Sequence, residues 1–468
     1  MNKIAVAAIA AAALSTAGAA MAQERPDQTA FKALYKQLVE TNTTLSSGSC
    51  TLASQRMATR LKAAGYTDAD IQILHPADRP KDGNLIVTLA GKNPKLKPIL
   101  LLAHIDVVEA NRADWERDPF TLVEENGYFY ARGSSDDKAM AAAFTDNMIR
   151  YKQEGFKPAR GLKLALTCGE ETPDTFNGVE WLLKTHPAAL DSEFALNEGA
   201  GGLLDANGKP VFLGIQAGEK VYQDYTLETT NPGGHSSTPI KDNAIYNLSA
   251  AISKIGAYDF PVALNEAVRM NFTELAKIEP GESGAALAAV VADPNDPAKV
   301  AAVAKNRARN SMMRTTCVAT TLNAGHAPNA LPQRARANVN CRILPGVNPN
   351  DVLKTLQDVV GDPRINITLA AKPSPVNVPP PLDARITAPA KTVAAKLWPG
   401  APLVPSMSTG ATDGRFTNAA GIKTYGLSGM FSDAAGSNAH GLNERIRVKS
   451  LYEGRDFLYE VTKLYAAK

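Results

Sequence analysis

Ile99-Leu100-Leu101-Leu102-Ala103-His104-Ile105-Asp106 begins with five apolar residues in a row and continues into an imidazole and a carboxylate. An apolar run without alternation predicts a strand covered on both faces, as in a parallel sheet flanked by helices. In such sheets ligands gather outside the carboxyl ends of the strands, and His104 stands at that end. Asp106, two residues on, suits a carboxylate that orients a metal-binding imidazole. A strand-end histidine on its own is more often a satisfied core residue, so the surrounding sequence has to decide.

Working outward, Asn84–Ala90 (NLIVTLA), Leu162–Thr167 (LKLALT) and Phe194–Asn197 read as further strands. Residues 30–65, Lys138–Tyr151 and Val179–Thr185 carry helical spacing. Strands alternating with helices predict an α/β domain with a mostly parallel sheet. The pattern changes at Val221. Val221–Thr229 alternates like a half-exposed strand, and Asn243–Ile255 reads as a helix. Residues 261–313 are Ala- and Asn-rich and mostly helical. Thr315–Asn323 and Ala335–Leu344 look like paired strands, followed by a helix at Asp351–Val360 and a strand at Ile365–Ala370. Pro373–Pro381 reads as a linker, and from Ile386 the α/β pattern resumes. The expected organisation is a catalytic α/β domain over 23–220 and 373–468, interrupted by an α+β lid or dimerisation domain over 221–372.

With 468 residues the chain is long enough for two cores. A net charge of +3 gives no reason to expect nucleic acid or an anionic membrane as partner. Lys3, the apolar run Ile4–Leu14 and Ala20-Met21-Ala22 form the three parts of a secretory signal peptide over 1–22, which predicts a periplasmic or secreted protein. No other stretch approaches the length of a spanning helix, so stable membrane insertion is not expected. The four cysteines match no zinc-finger spacing. Cys317 and Cys341 sit on the two strands expected to pair, and both a disulfide and two buried thiols remain open for them.

Two further strand ends carry chemistry. LKLALT runs into Cys168-Gly169-Glu170-Glu171, and Phe194–Asn197 into Glu198-Gly199. Adjacent glutamates at a buried strand end are costly unless a cation or solvent neutralises them. Residues 132–138, Arg-Gly-Ser-Ser-Asp-Asp-Lys, form a turn opening a helix, where carboxylates are favoured with or without a metal. Together these carboxylates and His104, with no thiolate among them, fit zinc, with manganese or cobalt as substitutes.

The segments HIDVV at 104, DPF at 118, ARGSSDDK at 131, GEET at 169, NEG at 197, GGHSS at 233, NALP at 329, NCRILPG at 340, GATDGR at 410 and HGLNE at 440 resemble, in order and spacing, the di-zinc peptidase family of aminoacylase, carboxypeptidase G, acetylornithine deacetylase and carboxypeptidase S. Residues 310–346 look most like the carboxypeptidase S branch. The resemblance implies two zinc ions per chain, with His104 and Glu198 on one, Glu171 and His440 on the other, and Asp136 bridging. It implies that Asp106 orients His104, that Glu170 is the general base and acid, and that His235 supports the oxyanion. Asn329 and Arg342 would hold the substrate's backbone and carboxylate, with Thr412 beside them. Gly169 departs from the family's usual aspartate, and Ala131 and Ala139 from its usual glycines; none of these replaces a ligand. His75, His186 and His326 match no motif and read as loop residues. The expected activity is hydrolysis of a peptide or amide bond next to a free carboxylate. An N-acyl-amino-acid deacylase is the alternative, and a non-catalytic periplasmic binding protein a remote one. Relatives suggest a homodimer through the inserted domain. Ser236 and Ser237 lack the Gly-x-Ser-x-Gly elbow of a serine hydrolase.

Overall fold

An apolar strand of this kind needs cover on both faces, and the computed structural model, which describes residues 25–172 and 175–467, provides it. Ile99–His104 is buried along its whole length between Leu162–Thr167 and Phe194–Asn197, parallel to both. Ile99, Leu101 and Ala103 enter the core beneath the helices Pro26–Val39, Cys50–Ala63, Lys138–Gln153 and Val448–Ala466. Leu100 and Leu102 enter a second core with Val179 and Leu182 of Gly178–Thr185. This is the two-residue period of a strand read out by two helix layers. Lys423–Gly426 extends the parallel centre beyond Phe194–Asn197. Antiparallel strands then complete a ten-stranded sheet, with Asn84–Leu89 and Ile71–Leu74 on one side and Pro210–Glu219 on the other. The fold is α/β. Because the four central strands run the same way, His104, Thr167, Asn197 and Gly426 all end at one edge of the sheet.

The chain leaves this sheet at Glu219 and returns to it at Leu403. Between them lies a four-stranded antiparallel sheet, ordered Thr316–Ala324, Arg334–Ile343, Val221–Thr230, Asn366–Leu369. The helices Ala244–Ala257 and Pro349–Val360 close its apolar face. Thr316–Ala324 is an outer strand, with Val318 and Leu322 both exposed. Residues 261–313, expected within the insertion, form the helices Glu266–Ile278, Gly281–Ala292, Pro297–Ala304 and Arg307–Met313. Val268, Phe272, Leu287 and Val290 join the core of the large sheet, and Asn271 Nδ2 donates to the carbonyl of Pro405 at 2.6 Å.

The helix expected over 30–65 is two helices, Pro26–Val39 and Cys50–Ala63. Side chains that bond their own backbone end the first and start the second. Asn42 Oδ1 accepts from the Thr44 amide at 2.9 Å, and Ser49 Oγ caps the second helix at the Leu52 amide. Thr43, in the intervening turn, donates from Oγ1 to the Ile105 carbonyl at 2.6 Å, so the break serves the strand end. Disulfides join Cys317 to Cys341, which face each other in register, and Cys50 to Cys168. The second of these fastens the Cys50–Ala63 helix to the strand end that carries Glu170 and Glu171. The leader expected over 1–22 lies outside the described residues. Among those residues no helix is long and apolar enough to cross a membrane.

Candidate metal centre

His104 is 2% exposed at the carboxyl edge of the sheet, and both ring nitrogens are engaged. Nδ1 meets the Asp106 carbonyl at 3.1 Å. Nε2 meets Asp136 Oδ1 at 3.0 Å and lies 3.8 Å from Glu198 Oε2. The other oxygen of Asp136 is 3.2 Å from His440 Nε2, and that nitrogen is 2.8 Å from Glu171 Oε1. Asp136 thus stands between two imidazoles, one per oxygen. His104 belongs to two overlapping groups of possible metal ligands, one with Asp136 and Glu171 and one with Asp137 and Glu198. Asp137 was not among the expected ligands. The sequence shows two adjacent aspartates and does not say which way each points.

Other carboxylates position the cluster. Asp106 accepts the amides of Glu170 and Glu171, at 3.3 and 3.0 Å. Asp413 accepts from Thr167 Oγ1 and Asn177 Nδ2, at 2.9 and 2.7 Å. Glu444 is fully buried and accepts the amides of Gly133, Ser135 and Asp136, at 3.0, 2.8 and 3.0 Å. It also pairs with Arg132 at 2.8 Å, and Arg132 reaches on to the carbonyls of His440 and Gly441. Asp413 and Glu444 lie inside the GATDGR and HGLNE segments and were not among the expected site residues. Their signal was an acidic residue within a matched motif.

The electrostatics fit divalent cations. Burial, reinforced by neighbouring carboxylates and offset only partly by His104, raises Glu170 and Asp137 and pushes Glu198 up to about 7. Hydrogen bonds to Asp136 and Glu171 raise His440 to about 10. Burial alone would raise Asp136; its bonds to the two imidazoles take it below the carboxylate range instead. A cation on this oxygen and imidazole donor set would supply counter-charge to the buried carboxylates.

Thr412 is buried next to the cluster, accepting from Asn197 Nδ2 at 3.0 Å, and lines a cavity of about 440 Å³ that opens beside Asp136 and Glu198. Arg342 lies at the end of the smaller sheet where the chain enters it from Glu219, opposite Tyr222, with its guanidinium 4.7 Å from that ring. Burial lowers its pKa, and so does Arg415, whose guanidinium belongs to the GATDGR turn of the large sheet. Lys220 is pushed down to about 7 by burial and by Arg342. His235 and Asn329 are at the opposite end. His235 pairs with Ala330, beyond the Thr230–Arg334 pair, and both His235 and Asn329 are exposed. From Arg342 back to Arg334 the strand covers roughly 25 Å at the usual rise per residue. Among the described residues no hydrogen bond or ion pair joins His235 or Asn329 to the metal cluster.

Comparison with known proteins agrees with this architecture. The profile of peptidase family M20/M25/M40 matches residues 100–463. The human N-fatty-acyl-amino acid synthase/hydrolase PM20D1 is 30% identical over 64% of the chain and 59% of its own length. A probable carboxypeptidase S-like protein of Dictyostelium discoideum is 29% identical over 63% of the chain and 58% of its own length. The chain thus spans less than two thirds of the curated relatives it matches. The crystal structure of an M20 family metallo-carboxypeptidase from Sulfolobus solfataricus superposes with a TM-score of 0.70 at 21% identity, covering 94% of this chain and 99% of that one. Human carnosine dipeptidase 1 superposes with a TM-score of 0.63 at 16% identity, covering 94% and 96%. Fold, carboxyl-edge cluster and a match over most of the chain lead to one statement: the chain belongs to peptidase family M20/M25/M40.

Proposed function

We propose that the protein is a zinc-dependent hydrolase of peptide or amide bonds next to a free carboxylate. The observation that supports the reading is Asp136 standing between two imidazoles, His104 near Glu198 on one side and His440 near Glu171 on the other. When bound, two zinc ions would acidify water and polarise the scissile carbonyl. The chain's own residues do the rest. Asp106 fixes the strand end from which Glu170 projects, and Glu170 takes the proton from the attacking water and returns it to the leaving nitrogen. Metal analysis together with a screen of dipeptides and N-acyl amino acids tests the reading. Two zinc ions per chain and chelator-sensitive hydrolysis are expected; zinc-loaded protein that cleaves neither class overturns it. An N-acyl-amino-acid deacylase is the second reading, favoured by the relative described as an N-fatty-acyl-amino acid synthase/hydrolase. The leader over 1–22 and the two disulfides support a periplasmic or secreted location.

The carboxylate requirement rests on Arg342. Arg415 adds to burial in lowering Arg342, Arg342 adds to burial in lowering Lys220, and a substrate carboxylate beside Arg342 would join Asp224 in offsetting that crowding of cations. A guanidinium also offers a carboxylate two parallel hydrogen bonds. Amidating the substrate's α-carboxylate should therefore cost about 2–5 kcal/mol in kcat/KM. Arg342→Ala should lose most of that discrimination, and equal discrimination in both proteins would move the carboxylate site elsewhere.

His235 and Asn329 serve the cleft of a second copy in this proposal. Their distance from Arg342 and the exposed outer strand with Val318 and Leu322 support a homodimer built through the smaller sheet. Mixing inactive His235→Ala chains with inactive Glu170→Gln chains should restore about a quarter of wild-type activity, since half the dimers are mixed and each of those has one intact site. No recovery under demonstrated subunit exchange rules out donation between copies.

A further inference from the structure

The cavity beside the metal centre has a second end whose chemistry differs from the first. Near the cluster its lining is Asp136, Asp137 and Glu198. At the other end it is Tyr128, Asp433, Arg445 and Arg447. Strand Arg445–Arg447 pairs with Tyr128–Tyr130, so Arg445 and Arg447 share one face while Ile446 turns into the core. That places the guanidiniums 4.6 and 5.7 Å from the Tyr128 ring. Asp433 is occupied by the Tyr128 hydroxyl and the Ala435 amide, and its ion pair with Arg445 is long, at 3.9 Å. Arg447 has no carboxylate partner among the described residues. Two cations against one anion leave this end of a half-enclosed cavity net positive. The strand also fixes its distance. Glu444, whose carboxylate grips the Asp136 amide, is followed directly by Arg445, and Arg447 lies roughly 10 Å along the strand from Glu444. Met140 and Met430, both buried, also line the cavity.

We propose that this end of the cavity binds a carboxylate carried on a short aliphatic stem from the scissile carbonyl, either a dicarboxylic acyl group or an acidic side chain on the N-terminal residue of a dipeptide. The assignment rests on the hydrolase reading and narrows it. Arg445 and Arg447 take the distal carboxylate, and the stem lies in the cavity that Met140 and Met430 help to line. A long fatty chain would instead have to bury methylenes against two guanidiniums, Asp433 and the hydroxyls of Ser432 and Ser437.

One amino acid is acylated with glutaryl, pentanoyl and dodecanoyl groups, and glutamyl and glutaminyl dipeptides are compared beside them. Zinc-loaded wild type should prefer glutaryl over pentanoyl by roughly tenfold to a hundredfold in kcat/KM, the range for a hydrogen bond to a charged group. Glutamyl over glutaminyl in the same measure assigns the site to peptides, and glutaryl alone to acyl groups. Arg447→Gln should bring the preference close to one. Equal or better turnover of the pentanoyl or dodecanoyl compound, or a preference that survives in Arg447→Gln, overturns the inference. Calorimetric binding of the glutaryl and pentanoyl compounds carries the same comparison without turnover. Preferential binding with no hydrolysis defeats the hydrolase reading alone, and hydrolysis with no preference defeats this inference alone.

Discussion

Glu170→Gln should keep close to the wild-type zinc content and lower kcat by at least roughly 10²–10⁴-fold, the range for a positioned acid–base group. The two glutamates are adjacent in sequence and differ in surroundings. Glu171 Oε1 lies 2.8 Å from His440 Nε2, the contact of a group that shares a metal with that imidazole. Glu170 makes no such contact. Its pKa is raised by burial and then by Glu198, Asp413 and Glu171, as suits a group that passes a proton. Gly169 makes the turn that leads from the strand end into the two glutamates. Its φ is +91°, and a Cβ there would stand 2.3 Å from the Phe176 carbonyl. Glutamine keeps the shape of Glu170 and removes its basicity, so lost activity with retained metal isolates the proton role. If Glu170→Gln loses zinc while Glu171→Gln keeps it, the two assignments exchange.

The second large effect belongs to Glu444, which is outside the ligand set. Glu444→Ala removes the acceptor for three backbone amides and leaves Arg132 buried without its counter-charge. Breaking a buried pair from one side typically costs about 3–5 kcal/mol. The damage is directed, because Asp136 loses its amide partner and Arg132 loses the anchor from which it holds the His440 carbonyl. Zinc affinity should fall as well, by about 10–100-fold, as when a partner that orients ligands is removed. Denaturant unfolding and zinc titration of the Glu444→Ala protein measure the two effects. Wild-type values in both would make Glu444 a bystander.

Some of this was legible in residues and some was not. The strand ends at His104, Glu171 and Glu198 announce themselves, because a charged residue closing a buried apolar run destabilises the fold unless a cation or solvent neutralises it. The break between the first two helices was hidden. Phe31, Leu34 and Leu38 keep a helical period that Met57 and Leu61 resume, and only the polar run Thr41–Ser49 marks the turn. The helices of 261–313 were legible as helices, yet periodicity identifies an apolar face and not the surface that covers it. Val268 and Phe272 could have packed on either sheet. Glu444 and Asp413 were hard to see for a related reason. Their work is to accept hydrogen bonds from groups far away in sequence, and nothing local records it.

The Cys50–Cys168 bond also keeps a thiol away from the metal centre. Cys168 stands three residues before Glu171, and zinc accepts thiolate as readily as imidazole or carboxylate. Mutating Cys50 by itself would therefore do more than cut a tether; it would free a soft thiol three residues from Glu171, in a centre built from oxygen and nitrogen donors. Mutating Cys168 by itself would leave its thiol partner on the helix, free to be oxidised. Replacing both cysteines together removes the tether without leaving a free thiol at either end, so the double replacement is the cleaner change.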